Sequence, residues 1–254
     1  MFYPKISIIT PSYNQGKFIE KTIQSVIEQD YPHYEHIIID GGSTDGTLEI
    51  LKRYQDVLIF VSEKDEGQVS AINKGLKIAN GEIISFLNSD DYYLPHTFTR
   101  MREFFSKPEC AWLIGDSVIV DENDREIQKF IRYYKKTIRM LNSYKVLLLT
   151  NFICQPSTFW RKDFLETVGY FDEKLSLAFD YKQWLLMYQK KKPIVTNYAL
   201  SAFRIHKASK GSLYFREQMN EELTVLQSLN IAKTSFLLHK LNLFFIKFIY
   251  SIIK

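Results

Sequence analysis

The sequence predicts an α/β fold in which a Rossmann-like, mostly parallel sheet is flanked by helices. Three observations predict it: a strand, loop, helix rhythm that repeats four times between residues 5 and 91; loops dense in acids, amides and glycines after each strand; and an apolar run, 83–87, that stops at Asn88-Ser89-Asp90-Asp91. Consecutive βα units specify a parallel sheet with right-handed crossovers. In such sheets the ligand cleft lies beyond the carboxyl ends of the strands.

The first strand is expected over 5–10, followed by the turn formers of 11–16. Ile19, Ile23, Val26 and Ile27 fall on one helical face before Asp30-Tyr31-Pro32 stops the helix. A second strand, 36–39, ends at Asp40, and the glycine-rich 41–46 leads to a helix with Leu48, Leu51 and Tyr54 inward. A third strand over 57–61, the loop 62–68 and a helix carrying Val69, Ile72, Leu76 and Ala79 repeat the rhythm. The fourth strand, 82–87, delivers the acidic turn, and a helix after Pro95 carries Phe98, Met101, Phe104 and Phe105.

Beyond Lys107-Pro108 the pattern turns α+β. Strands are expected over 111–120 and 126–133, joined by the polar turn 121–124. Next come an aromatic stretch at 152–160, a turn at Gly169, a helix opened by Ala178-Phe179-Asp180 and running through Trp184, and a strand over 194–203.

With 254 residues, 46% hydrophobic and 24% charged, the chain reads as one α/β domain with an appendage. The net charge of +4, with Lys and Arg thickening from Arg125 onward, suits an anionic ligand or membrane surface. A nucleic-acid duplex would want a concentrated basic stripe, so no nucleic-acid partner is expected. Cys110 and Cys154 lack metal-ligand spacing and read as buried thiols in a reducing compartment. The start Met1-Phe2-Tyr3-Pro4-Lys5 lacks a signal-peptide layout, which places the body in the cytosol.

Two neighbouring carboxylates at a strand end offer hard oxygen ligands to a divalent cation that keeps sites open for phosphate oxygens. The competing reading is a solvated acidic turn near the start of the next helix. A dinucleotide-binding Rossmann domain would want Gly-x-Gly-x-x-Gly at the first turn, and 10–16 lacks it.

The ordered set Ser7-Ile8-Ile9-Thr10-Pro11-Ser12-Tyr13-Asn14, Ile39-Asp40-Gly41-Gly42-Ser43-Thr44-Asp45-Gly46-Thr47, Asp65-Glu66-Gly67-Gln68, Ala71-Ile72-Asn73-Lys74-Gly75, Leu87-Asn88-Ser89-Asp90-Asp91, Phe179-Asp180-Tyr181 with Trp184, and Phe203-Arg204-Ile205-His206 resembles the family 2 glycosyltransferases. These are inverting enzymes of the GT-A fold that use nucleotide-diphosphate sugars, of the kind found in bacterial surface polysaccharide synthesis. The resemblance spans roughly residues 5–210.

It implies an inverting hexosyl- or N-acetylhexosaminyltransferase, with a UDP-sugar as the expected donor and a hydroxyl of a surface glycan or lipid-linked oligosaccharide as acceptor. By the same resemblance, Thr10, Pro11 and Tyr13 shape the nucleobase pocket, and Asp40 accepts hydrogen bonds from the base or caps its own turn. Asp65, Gly67 and Asn73 line nucleotide and donor sugar, Asn73 being alternatively a solvent-facing helix residue. Asn88 and Asp90 touch the donor within the family's Asp-x-Asp signature, and Asp90, Asp91 and His206 hold Mg²⁺ or Mn²⁺. Arg204 and Lys210 neutralise the diphosphate. Asp180 is the general base that single in-line displacement requires opposite the leaving group, or an N-cap, roles that are compatible. Two departures stand out: Asn88 replaces a common Asp, and Ser70 replaces a common acid.

On this reading residues 1–107 form the nucleotide-sugar half, 108–211 the acceptor and catalytic half, and 212–254 a helical tail. The tail carries a helix through Leu223, Leu226 and Leu229, then an apolar stretch interrupted by His239, Lys240, Asn242 and Lys247, which argues against a spanning helix. Lys233, Lys240, Lys247 and Lys254 recur every seventh residue beside a wide Phe/Ile/Leu face, as in an amphipathic helix lying on an anionic leaflet. Peripheral attachment to the inner face of the plasma membrane is the expectation, and a helix docked on the body is the alternative. Two rival functions differ in class: a sugar nucleotidyltransferase, which would want Arg or Lys in the first turn, and a non-catalytic sugar-nucleotide module scaffolding a partner enzyme.

Overall fold

Alternation along the first strand sets the layers. In β1 (Ile6–Ser12) Ile6 and Ile8 face one core cluster and Ile9 the other, all fully buried. This is the signature of a central strand covered on both sides. The computed structural model describes residues 3–253, with side chains described to residue 247. Met1, Phe2, Lys254 and the side chains of Phe248, Ile249, Tyr250, Ile252 and Ile253 in the expected apolar stretch lie outside the described residues.

The first half follows the expected rhythm: α1 (Ile19–Ile27), β2 (Tyr34–Asp40), α2 (Thr47–Arg53), β3 (Ile59–Ser62), α3 (Gln68–Ile78) and β4 (Ile83–Phe86). The predicted inner faces are inside, with Ile19, Ile23 and Val26 of α1 and Val69, Ile72 and Leu76 of α3 all buried. Gly75 lets α3 lie against β1, since a Cβ there would stand 2.4 Å from Ile9 Cγ2. A two-residue strand, β5 (Tyr92–Tyr93), and α4 (Thr97–Phe105) follow.

The second half adds β6 (Trp112–Val120), α5 (Lys129–Leu141), α6 (Tyr144–Leu149), a 3-10 turn at Gln155–Ser157, β7 (Thr158–Arg161), α7 (Lys162–Val168), α8 (Phe179–Lys190), β8 (Ile194–Arg204), α9 (Lys210–Leu213), α10 (Phe215–Ser228) and α11 (Lys233–Ile253). All eight strands form one sheet in the order β3-β2-β1-β4-β7-β6-β8-β5. The pairings among β1 to β4 and between β6 and β8 are parallel; β4 with β7, β6 with β7 and β5 with β8 are antiparallel. The expected boundary at residue 107 thus falls inside a continuous sheet.

The strand expected over 126–133 is corrected: only Glu126 bridges to Val120, and the chain turns into α5. The aromatic residues of 130–134 favour a strand locally, but Arg132 and Arg139, seven apart on one helical face, are both drawn to buried Asp116. Cys110 is buried as expected, whereas Cys154 is half-buried. The inner side of α11 docks on the body, with His239 and Leu243 buried and Asn242 donating to the Leu149 carbonyl. Among the described residues no helix is long and apolar enough to cross a membrane.

Candidate active site

The loops leaving β1, β2, β3 and β4 converge with the segment after β8 on a cleft of about 690 Å³, well within the size of small-molecule sites. Pro11, Tyr13, Asp65, Gly67, Asn88, Asp90, Arg204 and Lys210 of the predicted set line it, together with Gln68 and Lys64. Tyr13 is 62% exposed, an aromatic face open to the cleft. Gly67, at φ +114°, adopts a backbone only glycine takes easily, and its N–H donates to Asp65 Oδ1 at 2.8 Å.

The two aspartates of the acidic loop part company. Asp90 lines the cleft, its Oδ2 3.1 Å from His206 Nε2. Asp91 is buried: its Oδ1 accepts the Arg204 N–H at 2.8 Å and its carbonyl accepts the Thr22 hydroxyl. Burial, reinforced by the adjacent Asp90 charge, holds the Asp91 carboxyl well above the usual carboxylate range. Among the described residues no three His, Cys, Asp or Glu side chains are grouped to hold a metal. Asp90 and His206 offer a carboxylate oxygen and an imidazole nitrogen side by side, a donor pair that fits a divalent cation whose other positions go to phosphate oxygens and water.

Asn88 sits in an amide chain that the sequence does not reveal. Its Oδ1 accepts from Gln68 Nε2 at 2.8 Å, its Nδ2 donates to Gln155 Oε1 at 3.2 Å, and Gln155 Nε2 donates to the Phe86 carbonyl at 2.6 Å. An aspartate at this position would lack the donor that Gln155 Oε1 receives, which gives the departure at Asn88 a structural reason.

Several predicted residues are turned away from the cleft. Thr10 is buried with its hydroxyl 2.9 Å from His36 Nε2, and burial holds that imidazole down at about 3. Asp40 is buried too, accepting from the Gly42 and Ser43 N–H groups and from the Ser43 and Ser62 hydroxyls. Its carboxylate organises its own loop. Asn73, rather than facing solvent, cross-links α3 to the loop after α7 through the Phe171 carbonyl and N–H and Glu173 Oε1. Arg204 lines the cleft, but its guanidinium donates to Asp124 Oδ1 at 2.6 Å and lies over the Phe18 and Tyr92 rings. Lys210 lines the cleft with its Nζ 3.5 Å from the Ser176 carbonyl, and burial lowers its pKa.

Asp180 stands in the first turn of α8 and is not among the residues lining the cleft. The loop before it meets the cleft through that Ser176 contact. Burial pushes the Asp180 carboxyl up to about 7; nearby Glu222 raises it further, while the Tyr181 N–H and Lys135 oppose the rise. The helices after residue 212 supply what surrounds it. Glu221 accepts from the Ser176, Leu177 and Ala178 N–H groups, fixing the approach to α8. Glu222 Oε2 lies 3.3 Å from His239 Nε2, and His239 stacks on Tyr181. No sequence signal gave Glu221, Glu222 or His239 a place beside Asp180, because Glu221 and His239 reach partners more than forty residues away along the chain.

Residues 7–169 match the glycosyl transferase family 2 profile. A protein named as the teichuronic acid biosynthesis glycosyltransferase TuaG of Bacillus subtilis is 36% identical over 132 residues, 50% of this chain and 52% of the relative. An uncharacterized glycosyltransferase of Nostoc sp. is 31% identical over 171 residues, 65% of this chain and 53% of the relative. The chain thus spans about half the length of these two relatives. Among solved structures, Staphylococcus aureus TarS 1-349 in complex with UDP-GlcNAc superposes with a TM-score of 0.68 at 23% identity, covering 91% of this chain and 69% of that one. The mannosyltransferase PcManGT from Pyrobaculum calidifontis, in complex with GDP-Man and Mn²⁺, gives 0.72 at 20% identity, covering 94% and 69%. These likenesses show the GT-A fold, and the profile match over most of the sheet shows the family: the chain belongs to glycosyl transferase family 2.

Proposed function

We propose that the protein transfers one sugar, with inversion, from a UDP-sugar to a hydroxyl of a surface glycan or lipid-linked oligosaccharide. The observation that carries this reading is the convergence of Asp90, Tyr13 and Lys210 on one cleft at the carboxyl ends of the strands, with His206 behind Asp90 at 3.1 Å. A relative named for teichuronic acid biosynthesis and neighbours holding UDP-GlcNAc or GDP-Man support it. Tyr13 stacks on the base, Lys210 meets the diphosphate, and Asp90 with His206 holds Mg²⁺ or Mn²⁺. When bound, the cation would neutralise charge on the departing diphosphate. Asp180 takes the acceptor hydroxyl's proton, a task suited to a carboxyl whose pKa lies near neutrality. Asn88 does not argue for a non-catalytic module, because its amide has structural work in the Gln68 and Gln155 chain.

Calorimetry of UDP, GDP, TDP and CDP, each with and without Mn²⁺, tests the reading. Mn²⁺-dependent binding of UDP, abolished in Asp90→Ala, is expected. Binding of none of the four would overturn it. The attachment of α11 to the inner face of the plasma membrane belongs to the same proposal: its outward Leu237, Leu238, Leu241, Phe244 and Phe245 are exposed beside Lys240 and Lys247.

A further inference from the structure

The helix α5 is amphipathic in the inverted sense. Its inner face is cationic: Arg139, fully buried, donates to Asp116 Oδ1 at 2.9 Å, and Arg132 donates to Asp116 Oδ2 and to Glu126. Its outer face is apolar: Phe130, Tyr133 and Leu141 are 80%, 71% and 63% exposed, and Tyr134 and Met140 are exposed with them. Positions 130, 133, 134, 137, 140 and 141 fall on one side of a helix, so these side chains form a continuous stripe rather than scattered exceptions. Isolated exposed apolar residues need no explanation, whereas a contiguous stripe marks an interaction surface.

Charge decides what covers it. The thirteen residues of α5 include Lys129, Arg132, Lys135, Lys136 and Arg139 and no acid. With both arginines committed inward, Lys129 and Lys136 border the apolar stripe, Lys129 also lying 3.5 Å from Glu126. A second copy of the chain seated on this face would set lysine against lysine. An anionic bilayer complements it: tyrosine rings and lysine stems suit the headgroup region, and phenylalanine and leucine suit the acyl boundary. The structure assigns α5 as a second membrane-contacting helix, an acid-free aromatic stripe bordered by lysines that lies on an anionic lipid surface. It extends the attachment proposed for α11 and rests on a different helix.

Co-sedimentation of the full chain with phosphatidylcholine vesicles, with and without phosphatidylglycerol, tests the assignment. The parent is expected to partition onto the phosphatidylglycerol vesicles, and Phe130→Ser/Tyr133→Ser/Leu141→Ser to lower the partition coefficient about tenfold or more, because large apolar side chains leave the acyl boundary. The emission of a single Phe130→Trp substitution should shift to the blue on vesicle addition, which keeps the test decisive if the triple variant folds poorly. A parallel variant, Leu238→Ser/Phe244→Ser/Phe245→Ser, separates the helices. Weakened partition in the α5 variant alone supports this inference and defeats the α11 attachment. Unchanged partition in the α5 variant with an unshifted Phe130→Trp emission overturns the inference, whatever the α11 variant does. So does a parent that ignores both vesicle types, or an α5 variant whose only change is loss of self-association.

Discussion

Asp180 binds its proton more tightly in the folded protein than in the unfolded chain, with a pKa of about 7 against an ordinary 3.8. The sign of the consequence follows: between about pH 4 and pH 7 the folded state holds a proton that the unfolded chain has released, so stability falls as pH rises through that window, by about 1.4 kcal/mol per unit at most. Asp180→Asn removes this loss. Denaturant midpoints should show the variant level with the parent near pH 4 and more stable by roughly 2–4 kcal/mol at pH 8. Transfer should run the other way, rising through about pH 7 in the parent as the base ionises and absent in the variant, while UDP binding persists. Asp90 and Asp91 separate by the same logic of surroundings. Asp91→Ala orphans the buried Arg204 N–H and should cost roughly 1–3 kcal/mol of stability. Asp90→Ala should leave the melting temperature nearly unchanged and remove the Mn²⁺ dependence of UDP binding. The sequence showed both carboxylates at the strand end but could not tell them apart, since what separates them is a backbone N–H 113 residues away.

At the scale of elements, α5 is held by charge inside the protein and α11 by hydrogen bonds to the α6 carbonyls. Asp116, buried on β6, takes both Arg132 and Arg139, so it anchors α5 to the sheet. Removing one partner of a buried charge cluster leaves the others uncompensated, at about 3–5 kcal/mol. Asp116→Asn should therefore destabilise the fold by that order, with hydrogen exchange accelerating first in α5. The α11 contact is subtler. His239 Nδ1 lies 3.0 Å from the Leu148 carbonyl, which can only accept, so Nδ1 carries its hydrogen, while Nε2 lies 3.3 Å from Glu222 Oε2. Glu222→Gln removes the charge that raises the Asp180 carboxyl, so the midpoint of the stability change attributed to Asp180 should move below about pH 7. Such elements were only partly legible. β1, β2 and β4 and the helices among them announce themselves because burial on two faces and a 3.6-residue period are local properties. The strand misread over 126–133, the two-residue β5 and the antiparallel entry of β7 between β4 and β6 depend on distant partners, and no local pattern encodes them.

For the whole molecule, the tail is part of the body as well as its outermost surface. One side of α11 buries His239 and Leu243 against α6 and α10, while the other presents Leu237, Leu238, Leu241, Phe244 and Phe245 to the outside. The heptad of lysines was readable as a border, but the sequence could not show that the face behind it completes the core next to Asp180. Deleting the chain from residue 233 therefore does more than detach an anchor. It strips His239 from Glu222 and Tyr181 and uncovers the apolar residues beneath, so the truncated protein should lose roughly 2–5 kcal/mol of stability, as when a large buried side chain is removed. UDP binding should survive below the lowered melting temperature, because the cleft is built from the first half of the sheet and the segment after β8. Outward substitutions on α11 should weaken vesicle binding with no loss of stability. If truncation and outward substitution lowered stability equally, the outer face would be packed against protein in solution, and the attachment proposed for it would fall.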